Sequence, residues 1–208
     1  VYLGIDTATP FLALALWSAA GTRASYQREL GRAHGSHIMT ALAQLFADAD
    51  CQPAEIKAIG VGLGPGSYTG VRVGIASALG LARGWGCPVV GESTLAALAA
   101  RYLEQHPATK QVTAALDARR DNVYAATFTI KQTPNNQTPN SAGITGDVEV
   151  AEVVKDRLRL HLQNDIQKIP RTDLSGEIAE GIAPSALYLA KYACEHTGDA
   201  GQLEPYYL

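Results

Sequence analysis

Ala58-Ile-Gly-Val-Gly-Leu-Gly-Pro-Gly-Ser-Tyr-Thr-Gly-Val-Arg-Val-Gly-Ile-Ala76 runs from strand through loop into helix. Apolar Ala58, Ile59, Val61 and Leu63 make a short buried-strand pattern, and Gly64-Pro65-Gly66 breaks it. Val71, Ile75 and Leu79 then recur at helical spacing. Backbone without Cβ atoms admits close approach by a phosphate, as at other glycine-rich turns before helices, or by a neighbouring helix. A Walker loop ends in Gly-Lys-Ser/Thr, whereas this one ends Tyr68-Thr69-Gly70 and has no such lysine.

The predicted helix from Thr69 to Trp85 carries Gly70, Gly74, Gly80 and Gly84, with Ala76, Ser77 and Ala78 between them. Each interior glycine costs about 1 kcal/mol relative to alanine. That cost is tolerable where small residues let another helix pack closely. An earlier helix is expected from an N-cap at Ser36 to Asp50, with Ile38, Met39, Leu42, Leu45, Phe46 and Ala49 on one face. Before it, Val1 to Asp6, Phe11 to Trp17 and Thr22 to Leu30 read as a β-meander, its first turn holding Thr7 and Thr9. Pro88 to Gly91 reads as a strand, followed by a helix capped by Ser93 or Thr94.

A polar hinge, Glu104 to Lys110, leads to a second unit that begins in the same way, with a strand ending at Asp117 and a partner from Val123 to Ile130. The second half reads as an abbreviated copy of the first. Two domains are expected, 1–103 and 104–208. Lys131 to Gly143 has the composition of an exposed hairpin loop. After Ile144 to Val150 come a helix to about Leu162, a strand over Ile166 to Pro170 and a helix opening at Pro184.

With 47% hydrophobic and 18% charged residues the chain reads as globular, and its net charge of −3 opposes an independent grip on nucleic acid. Cys51, Cys87 and Cys194 lack metal-ligand spacing and suit a reducing compartment. No apolar run reaches the roughly 18 residues of a membrane span, and no signal-peptide pattern is present, so the expected location is the cytoplasm. The chain begins at Val1, and an initiator Met is expected before it.

Strand-ending Asp6 and Asp117, with Thr7 and Thr9, have the arrangement by which two-lobed nucleotide-handling folds address phosphate and metal. The pattern is damaged, because Ala8 stands where glycine would admit phosphate and Asp117-Ala-Arg-Arg120 has no glycine. His34 and His37 are too few for a metal site and read as capping or surface residues. Ser67 lacks a nucleophile elbow. Arg119, Arg120 and Lys131 offer a further reading, direct contact with RNA.

Gly64 to Gly74, Ile5 to Thr9, Pro88 to Leu95, Leu116 to Arg120 with Val123-Tyr124, and Glu204 to Leu208 together closely resemble the TsaB family, also called YeaZ. The resemblance is specific over residues 1–130 and loose from Lys131 to Asp199. It implies an α/β, two-lobed actin-like, sugar-kinase and Hsp70-like (ASKHA) fold, each lobe a mixed sheet flanked by helices. It also implies a non-catalytic partner required by TsaD for placing a threonylcarbamoyl group on the adenosine next to the anticodon of tRNAs that read codons beginning with A. By the same resemblance, ATP and a metal are held mainly by TsaD and TsaE, and none is bound by this chain alone. TsaE joins through the TsaB–TsaD complex, tRNA is met only through the complex, and the chain alone forms a homodimer. The two long helices would form the partner interface, for which Gly70, Gly74, Ser77, Ala78, Leu81, His37, Ala41 and Gln44 are the expected contacts. The alternative is a nucleotide-binding ATPase using Asp6, Thr7, Thr9 and Asp117.

Overall fold

The computed structural model describes residues 1–31, 33–130, 160–197 and 203–205. Ten strands are assigned among them: β1 (Tyr2–Asp6), β2 (Phe11–Ser18), β3 (Gly21–Glu29), β4 (Ala58–Gly62), β5 (Val89–Glu92), β6 (Gln111–Arg119), β7 (Asn122–Ile130), β8 (Leu160–Leu162), β9 (Gln167–Pro170) and β10 (Ile178–Ala179). Four α-helices accompany them: α1 (His34–Asp48), α2 (Tyr68–Trp85), α3 (Thr94–Gln105) and α4 (Ala186–Glu195).

The first sheet has the order β3-β2-β1-β4-β5, with the meander antiparallel and β1, β4 and β5 parallel. The second has the order β10-β6-β7-β8, with β9 also on β7. There β6 and β7 are antiparallel and β10 runs parallel to β6, as β4 does to β1. The repeat legible in the sequence is therefore present in the strand order of both sheets.

The alternation Leu12-Ala13-Leu14-Ala15-Leu16 explains how the first sheet is covered on both faces. Its leucines join Leu3, Ile5, Ile59 and Val61 in a core under α1 and α2, while its alanines meet Ala186 of α4 on the other face. Gly4 and Gly60 are paired in register on adjacent strands of that second face. A Cβ on Gly4 would overlap the backbone of Ala186, and one on Gly60 would overlap the Leu189 carbonyl. The two glycines thus form a notch that admits the backbone of α4.

Packing does not follow the expected division at residue 103. Leu95, Leu98 and Leu103 of α3 pack with Val112, Ala114 and Phe128 of the second sheet, while α4 lies on β1, β4 and β2 of the first. Each half of the chain lends a helix to the sheet of the other. The Ser185 N–H donates to the Ala97 carbonyl at 2.9 Å, and Arg101 Nη2 donates to Gln27 Oε1 at 2.8 Å, tying α3 to the start of α4 and to β3.

Several local expectations need correction. Helix α1 starts at His34 after Ala33, with no side-chain cap; Ser36 lies inside the first turn, where its Oγ donates to the Ala33 carbonyl at 3.0 Å. The helix α4 is capped by Ser185, whose Oγ accepts from Tyr188 N, so Pro184 lies before it. The helix expected to reach Leu162 does not: residues 160–162 form β8, and Leu162 is exposed. The remainder of that helix, the stretch before it from Ile144 and the loop from Lys131 lie outside the described residues. No helix among the described residues is long and apolar enough to cross a membrane.

Gly60→Ala should lower stability by about 2 kcal/mol or more, since backbone and not a flexible side chain occupies the added volume. Gly80→Ala, in helix α2 with open space around it, should raise stability by about 0.5–1 kcal/mol. Urea-unfolding midpoints of the two variants read both effects.

Candidate functional site

Asp6 ends β1 and is wholly buried. Its Oδ1 accepts the Ala8 N–H at 2.9 Å and its Oδ2 accepts the Thr94 hydroxyl at 2.8 Å. Thr94 Oγ1 in turn accepts the Gly64 N–H at 3.1 Å, and the Thr94 N–H donates to the Gly64 carbonyl at 2.8 Å. A side chain at Gly62 would overlap the Asp6 carboxylate. The strand-ending carboxylate is therefore keyed to the glycine-rich loop and to the start of α3.

The β1–β2 turn completes this packing. Thr7 Oγ1 donates to the Gly70 carbonyl at 2.7 Å, and the Ser67 N–H donates to the Ala8 carbonyl at 2.7 Å. Cβ atoms on Gly66 and Gly70 would overlap the carbonyls of Ala8 and Thr7. Gly66, at φ 156°, also has a backbone that favours glycine. What approaches the glycine-rich loop closely is the turn carrying Thr7 and Ala8. Thr9 Oγ1 accepts the Phe11 N–H at 3.2 Å, and its carbonyl accepts from His34 Nε2 at 2.9 Å. Ser67 caps α2 by accepting the Gly70 N–H at 3.3 Å.

Asp6, Thr7 and Thr9 are thus brought together. Asp117 belongs to a different group of contacts: it is exposed at the end of β6, where its Oδ1 accepts the Arg119 N–H at 3.2 Å and lies 4.0 Å from Arg171 Nη2. His34 is buried rather than at the surface, pinning the start of α1 to the β1–β2 turn. His37 Nδ1 lies 2.9 Å from the Ala33 carbonyl, close to the expected capping role. Among the described residues no three His, Cys, Asp or Glu side chains are grouped to hold a metal ion.

Sequence reasoning missed a second strand-ending carboxyl, half-buried. Glu92 ends β5, and its Oε1 accepts the Ser93 N–H at 2.5 Å. Burial holds it above the usual carboxylate range, partly offset by that N–H, by His196 and by the Tyr188 hydroxyl. Its place at the end of a parallel strand, like that of Asp6, was the available signal.

The expected partner face needs a larger correction. Ala78 of α2 and Ala41 of α1 lie in the first core, and Gly70 and Gly74 are buried against Thr7. A Cβ on Gly74 would stand 2.5 Å from Thr7 Oγ1, so the glycine admits the turn beneath the helix. Ser77, Leu81 and His37 are half-buried and Gln44 is exposed, its Nε2 donating to Asp48 at 2.6 Å. The outer surface is instead formed by Ala76, Gly80 and Gly84, with Leu79 49% exposed, Tyr68 54% and, on α1, Met39 58%. Arg72 lies over the Tyr68 ring, 4.0 Å from its centroid. At the C-terminal end of α2, Leu79, Arg83, Cys87, Val89 and Leu203 help line an open cavity of about 500 Å³.

The family model described as TsaD, tRNA N6-adenosine threonylcarbamoyltransferase, matches residues 25–159. Among curated proteins, the chain is similar to the tRNA threonylcarbamoyladenosine biosynthesis protein TsaB of Escherichia coli (strain K12), at 38% identity over 61% of this chain and 54% of that protein. The protein of the same name from Bacillus subtilis (strain 168) is 35% identical over 62% of this chain and 55% of its own length. These matches span about half of each relative. The Haemophilus influenzae TsaB aligns over 99% of this chain and 92% of its own length, at 29% identity. Among solved structures, YeaZ from Pseudomonas aeruginosa superposes with a TM-score of 0.77 over 99% of this chain and 98% of its own, at 23% identity. The two mixed sheets flanked by helices accordingly form an ASKHA-like two-lobed α/β fold.

Burial pushes the Asp6 carboxyl up to about 6, against the opposing hydrogen bonds from Ala8 N–H and Thr94. A carboxyl raised on folding binds its proton more tightly in the native state. Its contribution to stability is therefore full below its unfolded value and is lost as pH rises through about 6. In chemical unfolding between pH 4 and pH 7, Asp6→Asn should remove this component. The wild-type protein should then lose more stability over that interval than the variant.

Proposed function

The chain belongs to the TsaB (YeaZ) family, and from that premise we propose that it serves threonylcarbamoyladenosine formation in tRNA as a non-catalytic subunit. In this reading it docks on a TsaD-type transferase through the outer face of α1 and α2. TsaE joins through that pair, and the same face closes a homodimer when the transferase is absent. The work is cytoplasmic, and tRNA is engaged by the complex.

The observation that carries this reading is where large apolar side chains remain open. Met39, Tyr68 and Leu79, three of the four exposed large hydrophobics among the described residues, all lie on α1 and α2. Beside them, a Cβ added to Gly80 or Gly84 would meet nothing within 4 Å, which leaves room for a close helix–helix contact. The interior supports the same division of labour. The positions from which a working nucleotide site would address phosphate, Asp6 and the β1–β2 turn, are spent on internal hydrogen bonds. ATP and a metal fall to the partners.

Leu79→Glu and Gly80→Glu should each abolish co-purification with the transferase subunit of the same organism and shift the isolated chain to monomer, with the melting temperature little changed. Gly74→Leu should instead lower the melting temperature sharply, because it faces Thr7. Unchanged co-purification in both glutamate variants would refute the face. ATP hydrolysis by the chain alone, lost in Asp6→Asn, would replace the subunit reading with an enzymatic one.

A further inference from the structure

The β6–β7 hairpin turns through three consecutive non-glycine residues in left-handed backbone: Arg119 (φ 65°), Arg120 (φ 54°) and Asp121 (φ 59°). Such conformations are uncommon for residues with side chains, and turns that require them usually take glycine or asparagine. Two adjacent arginines do nothing for the hairpin itself that glycine would not do with less strain. Two nearby carboxylates, those of Glu180 and Asp117, are drawn to a different cation. Arg171 Nη1 donates to Glu180 Oε2 at 2.7 Å, Arg171 Nη2 lies 4.0 Å from Asp117 Oδ1, and the Arg171 N–H donates to the Asp121 carbonyl at 2.8 Å.

Arg119 and Arg120 are exposed, and neither guanidinium has a hydrogen bond or ion pair with a described residue. Back along the same strands, where Asn122 pairs with Pro170 and Tyr124 with Lys168, Lys168 Nζ stands 5.9 Å from the centroid of the Tyr124 ring. The result is a strained tip that presents two guanidiniums without a partner among the described residues, with an ammonium and an aromatic ring behind them.

We propose that this tip is a phosphate contact for RNA, in which Arg119 and Arg120, supported by Lys168, meet the backbone of the tRNA handled by the complex. The inference rests on the function proposed above. Neither arginine lines either of the described cavities of about 500 and 150 Å³, so a small anion would find no enclosing wall. An extended polyanion releases counterions to each cation it meets, which makes exposed arginines effective against it. The chain's net charge of −3 confines such binding to a local cluster. Lys131, the third residue of the RNA reading from sequence, lies outside the described residues.

The test uses the double variant Arg119→Gly/Arg120→Gly, because glycine removes both charges while relaxing the left-handed backbone and so preserves the fold. Labelled tRNA with an anticodon for codons beginning with A is titrated by anisotropy, at several salt concentrations, against the chain in complex with its transferase partner. The expected result is binding about tenfold weaker at moderate salt, a salt slope shallower by about 1.5, and unchanged co-purification with the partner. Equal affinity and slope would overturn the proposal. So would loss of the partner with tRNA binding intact, which would make the tip a protein contact, or loss of labelled ATP alone, which would make it a nucleotide contact. If the wild-type chain fails to pair with the transferase, the function proposed above fails separately. The titration is then read on the chain alone, where weakening in the variant still supports the tip and absence of wild-type binding rejects it.

Discussion

Backbone meeting backbone at Gly4 and Gly60 is the constraint on which the rest of the molecule depends. The two glycines sit side by side on β1 and β4, and α4 enters the notch with Ala186, Leu189 and Ala190 at the contact. Around this close approach stands a patch of alanines: Ala13 and Ala15 on β2, Ala58 on β4, and Ala193 on the helix. The large aliphatic side chains collect on the other face, where Leu3, Ile5, Leu14 and Ile59 pack under α1 and α2, while Tyr2, Val90 and Tyr192 frame the alanine patch. The sheet is asymmetric, with backbone meeting backbone at the centre of one face and leucines and isoleucines filling the other.

The same logic of internal close approach governs the site. Asp6, Thr7 and the glycine-rich loop have the residue types of a ligand cradle, yet the space released by Gly62, Gly66 and Gly70 is filled by the carboxylate and carbonyls of Asp6, Ala8 and Thr7. A buried carboxyl held by one N–H and one hydroxyl joins β1 to the start of α3. The loop thereby fixes the position of α2, and the chemistry of its residues is turned to aiming a helix.

Much of this was legible in the sequence. The meander, the strand–loop–helix at residues 58–85 and the repeat of the strand order follow from period and punctuation, which are local properties. The phase of α2 was harder, because Gly70-Gly74-Ala78-Ala82 and Ala76-Gly80-Gly84 are two stripes of small residues with the same spacing. Only the hydrophobic neighbours separate them: buried Val71 marks the inward stripe, whereas Leu79, which continues the spacing of Val71 and Ile75, stands on the outer surface. The exchange of α3 and α4 between sheets was not legible, since it depends on pairing across the chain. The alternation of Leu and Ala in β2 was a readable clue that a backbone would press on one face.

That exchange of helices bears on synthesis. The first sheet is complete by Glu92, but its alanine-lined face has no cover until residues 186–195 have left the ribosome. Until then the nascent chain carries an open sheet face whose partner does not yet exist, while α3 waits for β6 and β7. The first sheet is thus closed only by α4, and cutting the chain at its apparent hinge would leave each half with a helix belonging to the other.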